Sequence, residues 1–150
     1  MSYIFNEFSN GQSTGPSFSS VVSVAREKGY TVSLVILIIS LPTKKTTSQE
    51  PHPADDLNGA DVARKLTILS RMIPSLRTTL PSGYKSVQTT SLVPSQLEGM
   101  RTGDEFIRRL PEFDAEFDKM RKEAAAESQV LRYVGVVDVK NREIKAALEK

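Results

Sequence analysis

The densest set of groups able to do chemistry is the run Glu50-Pro-His-Pro-Ala-Asp-Asp-Leu-Asn-Gly-Ala-Asp-Val-Ala-Arg-Lys65. It places carboxylates at Glu50, Asp55, Asp56 and Asp61 and cations at Arg64 and Lys65. On a helix starting near Asp56, residues Leu57, Asp61 and Lys65 fall one turn apart, so the Asp61 carboxylate and the Lys65 ammonium share a face. On a solvated surface such a pair is an ordinary i,i+4 contact, worth about 0.3–0.5 kcal/mol. In a partly desolvated cleft the same two groups become a proton-transfer device, the lysine drawn toward neutrality while the carboxylate orients it. Spacing alone leaves both readings open.

Other chemistries are poorly supplied. The 150 residues contain no cysteine and one histidine, which removes disulfides, thiolate metal sites, cysteine nucleophiles and the usual zinc constellations. That histidine, His52, stands between Pro51 and Pro53 and reads as an exposed loop residue; a Ser-His-Asp arrangement has no positive support. Neither Gly11-x-x-x-Gly15 nor Gly99-x-x-x-Gly103 is a dinucleotide fingerprint, since the chain has no Gly-x-Gly. Twenty Lys and Arg against eighteen Asp and Glu give a net charge of +2 with the basic residues scattered, so nucleic acid is not an expected partner.

The elements that must position the cluster follow from hydrophobic period. Pro16 and Ser17 open a helix carrying Phe18, Val21, Val22 and Ala25 on one face, and Gly29 is placed to end it. Val32 to Leu41 is a ten-residue run of apolar and small residues, too short for a membrane span; it reads as a buried strand or an aggregation-prone segment. From Asp55 a second helix carries Val62, Leu66, Leu69 and Ile73 inward, with Asp55 and Asp56 as cap and first-turn carboxylate, and Pro74 ends it. Pro74 to Tyr84 is loop-like, and Val87 to Val93 is a short strand. Phe106, Leu110, Phe113, Phe117 and Met120 keep one stripe through Pro111, which predicts two helices in phase or one broken near Leu110, all core. Val130–Val139 and Ile144–Leu148 form a hairpin whose second strand leaves a sheet edge open. A hydrophobic content of 39% and this length suit a single α+β domain, helices packed on one face of a mixed sheet. The start, Met1 to Phe8, lacks a secretory leader, so a cytoplasmic setting and no membrane partner are expected.

The run Ala25-Arg-Glu-Lys-Gly29-Tyr30-Thr31, then Glu50-Pro51, Pro53 and Asp56-Leu57-x-Gly59-x-Asp61-x-x-x-Lys65, resembles the signature of homoserine dehydrogenases, the fungal type in particular. Ser2 to Phe8 is similar to the helix that follows the substrate loop in those enzymes, and Lys122 to Glu127 and Val130 to Val139 are similar to a later helix and strand. The resemblance implies a homodimeric NAD- or NADP-dependent oxidoreductase that interconverts aspartate 4-semialdehyde and homoserine, on the route to threonine, methionine and isoleucine. By position, Lys65 matches the lysine that gives a proton to the carbonyl oxygen. Glu50 and Asp61 match acids that bind the amino acid, Asp56 and Tyr30 match further substrate-pocket positions, and Gly29 matches a glycine against the nicotinamide cofactor. No metal-binding position is carried over.

The resemblance also implies that residues 1–150 are part of a substrate-binding and dimerisation domain. The nucleotide-binding half with its glycine-rich loop, a second catalytic lysine and a monovalent-metal site then lie outside these residues, as does a further stretch of sheet and helix beyond the C-terminal end. Family members join Thr31 directly to Glu50, so Val32 to Gln49 is an eighteen-residue insertion. Valine codons begin GT and glutamine can be CAG, so the insert fits the boundary rule for a retained intron. His52 stands where the signature has Asp, Asn or Ser. The alternative from another class is a non-catalytic dimerisation or interaction module.

Overall fold

The computed structural model describes residues 1–30 and 52–150. The expected run Val32–Leu41, the insertion Val32–Gln49 and Glu50 lie outside the described residues.

Two helices lead. Helix α1 (Ser2–Phe8) buries Ile4, Phe5 and Phe8. Helix α2 (Phe18–Glu27) is capped by Ser17, whose Oγ accepts from the Ser20 amide, and buries Phe18, Val21, Val22 and Ala25, the face read from the sequence. It ends at Gly29, whose φ is +70°. The Gly29 amide donates to Arg26 O at 2.9 Å and the Tyr30 amide to Ala25 O at 2.9 Å, the paired closure that glycine in the left-handed region permits.

The helix expected from Asp55 onward is two helices, α3 (Pro53–Leu57) and α4 (Ala60–Met72). The break is at Gly59, with φ +76°, a conformation that costs residues bearing a Cβ. A Cβ there would also overlap the Tyr133 hydroxyl and lie 2.6 Å from Thr89 Cγ2, so close packing requires glycine as well. The cap of α3 is neither Asp55 nor Asp56. It is His52, whose Nδ1 accepts from the Ala54 amide at 3.2 Å, leaving the two acids in the first turn where they complement the helix dipole. The exposed-loop expectation for His52 is therefore corrected: the residue is half-buried, its ring edge-on to Phe106 at 5.4 Å. Leu57, expected in line with Asp61 and Lys65, instead closes α3, fully buried, with its carbonyl accepting from the Leu92 amide at 2.9 Å.

The inner face of α4 is Ala63, Leu66, Thr67 and Ser70. Leu69, expected inside, is 53% exposed. Thr67 Oγ1 donates to Ala63 O at 2.8 Å and Ser70 Oγ to Thr67 O at 3.0 Å, so both buried hydroxyls are satisfied within the helix. The Val87–Val93 strand is reduced to β1 (Gln88–Thr89), with single helical turns at Pro74–Leu76, Gly83–Ser86 and Ser95–Leu97 around it.

The phenylalanine stripe forms as read, in α5 (Gly103–Arg109), a 3-10 turn Leu110–Phe113 containing Pro111, and α6 (Asp114–Ala126). Phe106, Leu110, Phe113 and Phe117 are all buried. Phe18 stacks on Phe117 at 3.8 Å between ring centroids, and Phe8 meets both rings edge-on. Arg121 of α6 is buried in this cluster, its Cζ 4.9 Å from the Phe8 ring. Its guanidinium donates to Pro16 O at 2.8 Å and pairs with Asp118, which ties the Gly11–Pro16 loop to α6.

The hairpin is β2 (Arg132–Asp138) and β3 (Glu143–Glu149), antiparallel with Gly135 opposite Ala146. Strand β1 adds to β3 in parallel, so the order is β1-β3-β2. Strand β2 is one edge, and β1 covers only Lys145 and Ala146 of β3, so the rest of the last strand's outer edge has no strand beside it among the described residues. Alternation sends Tyr133, Gly135 and Val137 of β2, with Ile144 and Ala146 of β3, toward α4. The approach is close, since a Cβ on Gly135 would sit 2.9 Å from Leu66 Cδ2. The fold is α+β with a small mixed sheet. Helix α4 covers the sheet face, and α1, α2, α3, α5 and α6 share a larger core that meets the sheet near Leu131, Tyr133 and Leu148.

Candidate functional site

The polar cluster gathers around the α3–α4 junction. Asp61 opens the first turn of α4 and Lys65 follows one turn on, Nζ 2.6 Å from Asp61 Oδ2, with the two side chains 59% and 70% exposed. Across the break, Asp56 on α3 is half-buried. Burial raises its carboxyl above the ordinary carboxylate range, the amino group of Met1 opposes that, Asp61 and Asp55 push further up, and Lys65 draws down. Asp56 therefore senses both members of the α4 pair, from a different helix.

The kink at Gly59 makes this possible. The Asn58 side chain accepts from the Ala60 amide at 2.9 Å and starts α4 on a new axis. Below the junction, the Tyr133 hydroxyl donates to Thr90 O at 2.7 Å, with Ala146 O at 3.3 Å, linking sheet and loop beneath the bend. Burial raises the pKa of that phenol.

Of the other predicted residues, Tyr30 is 61% exposed at the end of α2, its ring 4.7 Å from that of Tyr3. Tyr3 in turn accepts from Lys28 Nζ at 3.3 Å. Since Met1 acts on Asp56 and Tyr3 packs on Tyr30, the start of α1 lies beside both. Gly29 is exposed immediately before Tyr30. Glu50 lies outside the described residues. The structure pairs Asp61 with Lys65, sets Asp56 within electrostatic reach of both, and places Tyr30 and Gly29 beside Tyr3 of α1. Reading by period missed Tyr3, Met1 and Tyr133, because none of them belongs to a local motif with the polar cluster.

A cleft of about 270 Å³ opens on another side of α3, bounded by His52, Asp55, Asn58, Ser91 and Glu98. The Asp61–Lys65 pair lines neither this cleft nor the groove between the Gly11–Thr14 loop and Lys122–Ala126. Among the described residues no helix is long and apolar enough to cross a membrane.

The sequence model of the homoserine dehydrogenase family matches residues 42–149, which include the whole α3–α4 junction and the sheet. The chain belongs to the homoserine dehydrogenase family. Homoserine dehydrogenase from Saccharomyces cerevisiae is 40% identical over 150 residues, a match covering 100% of this chain and 36% of that protein. The Schizosaccharomyces pombe homoserine dehydrogenase is 42% identical, covering 100% and 34%. A bifunctional aspartokinase/homoserine dehydrogenase of Arabidopsis thaliana is 40% identical over 138 residues, 92% of this chain and 12% of that one. A crystal structure of a Candida auris protein of unknown function superposes with a TM-score of 0.78 at 38% identity, over 99% of this chain and 35% of that chain. The chain therefore spans about a third of the length of its fungal homoserine dehydrogenase relatives.

Proposed function

We propose that residues 1–150 are the substrate-binding share of an NAD- or NADP-dependent homoserine dehydrogenase, acting on aspartate 4-semialdehyde and homoserine. The observation that supports this reading is the Asp61–Lys65 pair, its members 2.6 Å apart, with the half-buried Asp56 within electrostatic reach of both across the Gly59 kink. Reduction of an aldehyde needs a proton at the carbonyl oxygen, and Lys65 Nζ is the donor, its charge also stabilising the developing alkoxide. Asp61 holds that ammonium in place. Asp61 and Glu50 meet the substrate ammonium group, and its approach also compensates the burial of the Asp56 carboxylate at the neighbouring pocket position. Tyr30, its ring against Tyr3, is the further substrate-contacting side chain of this reading.

A dinucleotide is not fitted by the residues described. Gly29 offers one exposed backbone position, but no described strand–helix turn carries Gly-x-Gly, and the parallel pairing is confined to Gln88–Thr89 with Lys145–Ala146. The purified chain should accordingly show no turnover, and homoserine-dependent reduction of NAD or NADP by it would refute that expectation. Substrate binding is tested on the same chain by NMR titration with L-homoserine. Shifts should centre on Asp56, Asp61 and Lys65 and vanish in Asp61→Asn; shifts elsewhere, unchanged by the substitution, would overturn the assignment.

Pairing of two copies belongs to the same proposal. Its support is the sheet face opposite α4, where Val134, Val136 and Ala147 are half-buried and belong to neither hydrophobic cluster, next to the edge strand β2. A cysteine-free composition suits a reducing compartment, and the cytoplasm is the setting we propose.

A further inference from the structure

The lysines and arginines scattered along the sequence are not scattered in the fold. Residues 62–97 contain Arg64, Lys65, Arg71, Arg77 and Lys85, and no aspartate or glutamate. Arg64 and Arg71 are two turns of α4 apart, so they share a face about 100° round the helix from Lys65. The Arg64 guanidinium lies over the Tyr84 ring, its Cζ 4.8 Å from the centroid, beside Lys85. Arg77 Nε donates to Arg71 O at 3.3 Å. From the β2–β3 turn, which also carries Lys140, Arg142 Nη2 donates to Ser75 O at 2.8 Å. Arg64, Arg71, Arg77, Lys85, Lys140 and Arg142, all exposed, thus gather along one side of α4 and the turns beside its C-terminal end.

Their charge is uncompensated. Among the described residues none of the six pairs with a carboxylate, whereas Arg26, Arg109, Arg121, Lys122 and Lys145 all do. Capping the last carbonyls of α4 accounts for Arg77 and Arg142 in part, but it uses one of five donors on each guanidinium and gives no reason for Arg64, Lys85 or Lys140. Crowded like charges repel, and an anionic partner relieves that repulsion. The patch is also short. Asp61 stands at the start of the same helix, and Asp138 and Glu143 stand at the two ends of the β2–β3 turn, so a polyanion longer than the patch meets negative charge at its margins. Arg64 and Arg71 are about 10 Å apart along the axis, which three or four extended residues span. Between them on the same face Ile68 is 63% exposed, a contact for an apolar side chain and not for a phosphate backbone.

We propose that this face binds a short acidic peptide segment of a partner protein, its carboxylates on Arg64, Arg71, Arg77 and Arg142 and an apolar side chain against Ile68. Guanidinium forks match carboxylates two bonds at a time. Tyr84 and the two carbonyls already hold Arg64, Arg77 and Arg142, so little side-chain freedom is lost on binding. None of these residues belongs to the α3–α4 junction, and the proposal is independent of the reaction assigned there.

The test titrates the isotope-labelled chain with the capped peptide Glu-Glu-Leu-Glu-Glu at about 50 mM salt, where charges are weakly screened. The side-chain Nε–H signals of Arg64, Arg71, Arg77 and Arg142 should shift together and saturate. Lys85→Glu with Lys140→Glu should weaken binding by at least about tenfold. Neither lysine makes a hydrogen bond or ion pair with a described residue, so Tm should stay within about 2 °C of the parent. Arg101→Glu with Arg108→Glu, which changes the net charge equally at exposed positions elsewhere, should weaken binding by less than about threefold. Replacing the peptide's leucine by serine should also weaken it measurably. Equal losses from the two pairs of substitutions, shifts spread over every exposed cation, or no saturation by about 1 mM peptide overturns the proposal. A single-stranded RNA oligomer of the same net charge that binds more tightly than the peptide overturns the choice of partner.

Discussion

Replacing Gly59 by alanine tests the junction on which the site depends. Two separable effects follow. The first is conformational: φ at Gly59 is +76°, and a residue with a Cβ in that region loses about 1–2 kcal/mol. The second is steric: the new Cβ would overlap the Tyr133 hydroxyl and lie 2.6 Å from Thr89 Cγ2. Tyr133 must then leave Thr90 O, to which its single proton is donated, at about 0.5–1.5 kcal/mol. Together these give about 1.5–3.5 kcal/mol, a large part of the 5–15 kcal/mol typical of a domain, and roughly 3–14 °C in Tm. A double-mutant cycle in urea separates the two. Tyr133→Phe alone should cost about 1 kcal/mol, but in the alanine background it removes the atom that the Cβ meets first. The double variant should therefore be more stable than the sum of the single effects predicts, by about 1 kcal/mol or more. Effects that add to within about 0.5 kcal/mol would mean the hydroxyl does not set the bend, and the reasoning from close packing would fail.

Asp56→Asn should raise Tm at neutral pH. Burial holds the native carboxyl above its unfolded value, so as pH rises through that window the unfolded chain releases its proton first and the fold loses stability. The gain over the parent should shrink toward zero below about pH 4, and an asparagine variant less stable at pH 7 would contradict it. Arg121→Lys should cost about 2–3 kcal/mol by chemical denaturation, because one ammonium cannot serve both Pro16 O and Asp118 while lying on the Phe8 ring; equal stability would remove its role as the loop's anchor. Gly135→Ala should cost about 1–3 kcal/mol through contact with Leu66 and Val62, and Leu66→Ala in the same chain should cost less than it does alone. The mature transcript should lack the codons for Val32–Gln49; sequencing of cDNA that retains them rules the intron out.

What could be read in advance was what local pattern controls. Helix α2 was legible because a stripe, a serine cap and a terminal glycine agree, and the hairpin because apolar runs flank a polar turn. The phenylalanine stripe survived Pro111 because a 3-10 turn keeps its members on one side. The split at Gly59 was hidden, since a lone glycine is compatible with an unbroken helix and the demand for it comes from Tyr133, far along the chain. Within α4 the buried face is centred on Ala63, Leu66, Thr67 and Ser70, about 100° round the helix from Leu69, and which side of Leu66 meets the sheet is set by tertiary packing and not by the apolar pattern. His52 was misassigned because imidazole is an uncommon cap, and its acceptor role appears only once Ala54 begins a helix. At the site, the Asp61–Lys65 contact followed from spacing alone, whereas the tie to Asp56 and to the start of α1 is purely tertiary.

The energetics of the cluster run against its being scaffolding. A pair as exposed as Asp61 and Lys65 adds at most a few tenths of a kcal/mol. Asp56 is worse than neutral, because its burial works against the charged form it takes at neutral pH. Gly59 supplies no packing of its own and is needed only because the chain bends there. The α3–α4 junction thus combines a weak ion pair, a penalised carboxylate and a kink, while the hydrophobic cores to either side account for folding. Groups that lower stability in the free chain but would be compensated when a cation approaches Asp56 favour the binding role proposed for this junction.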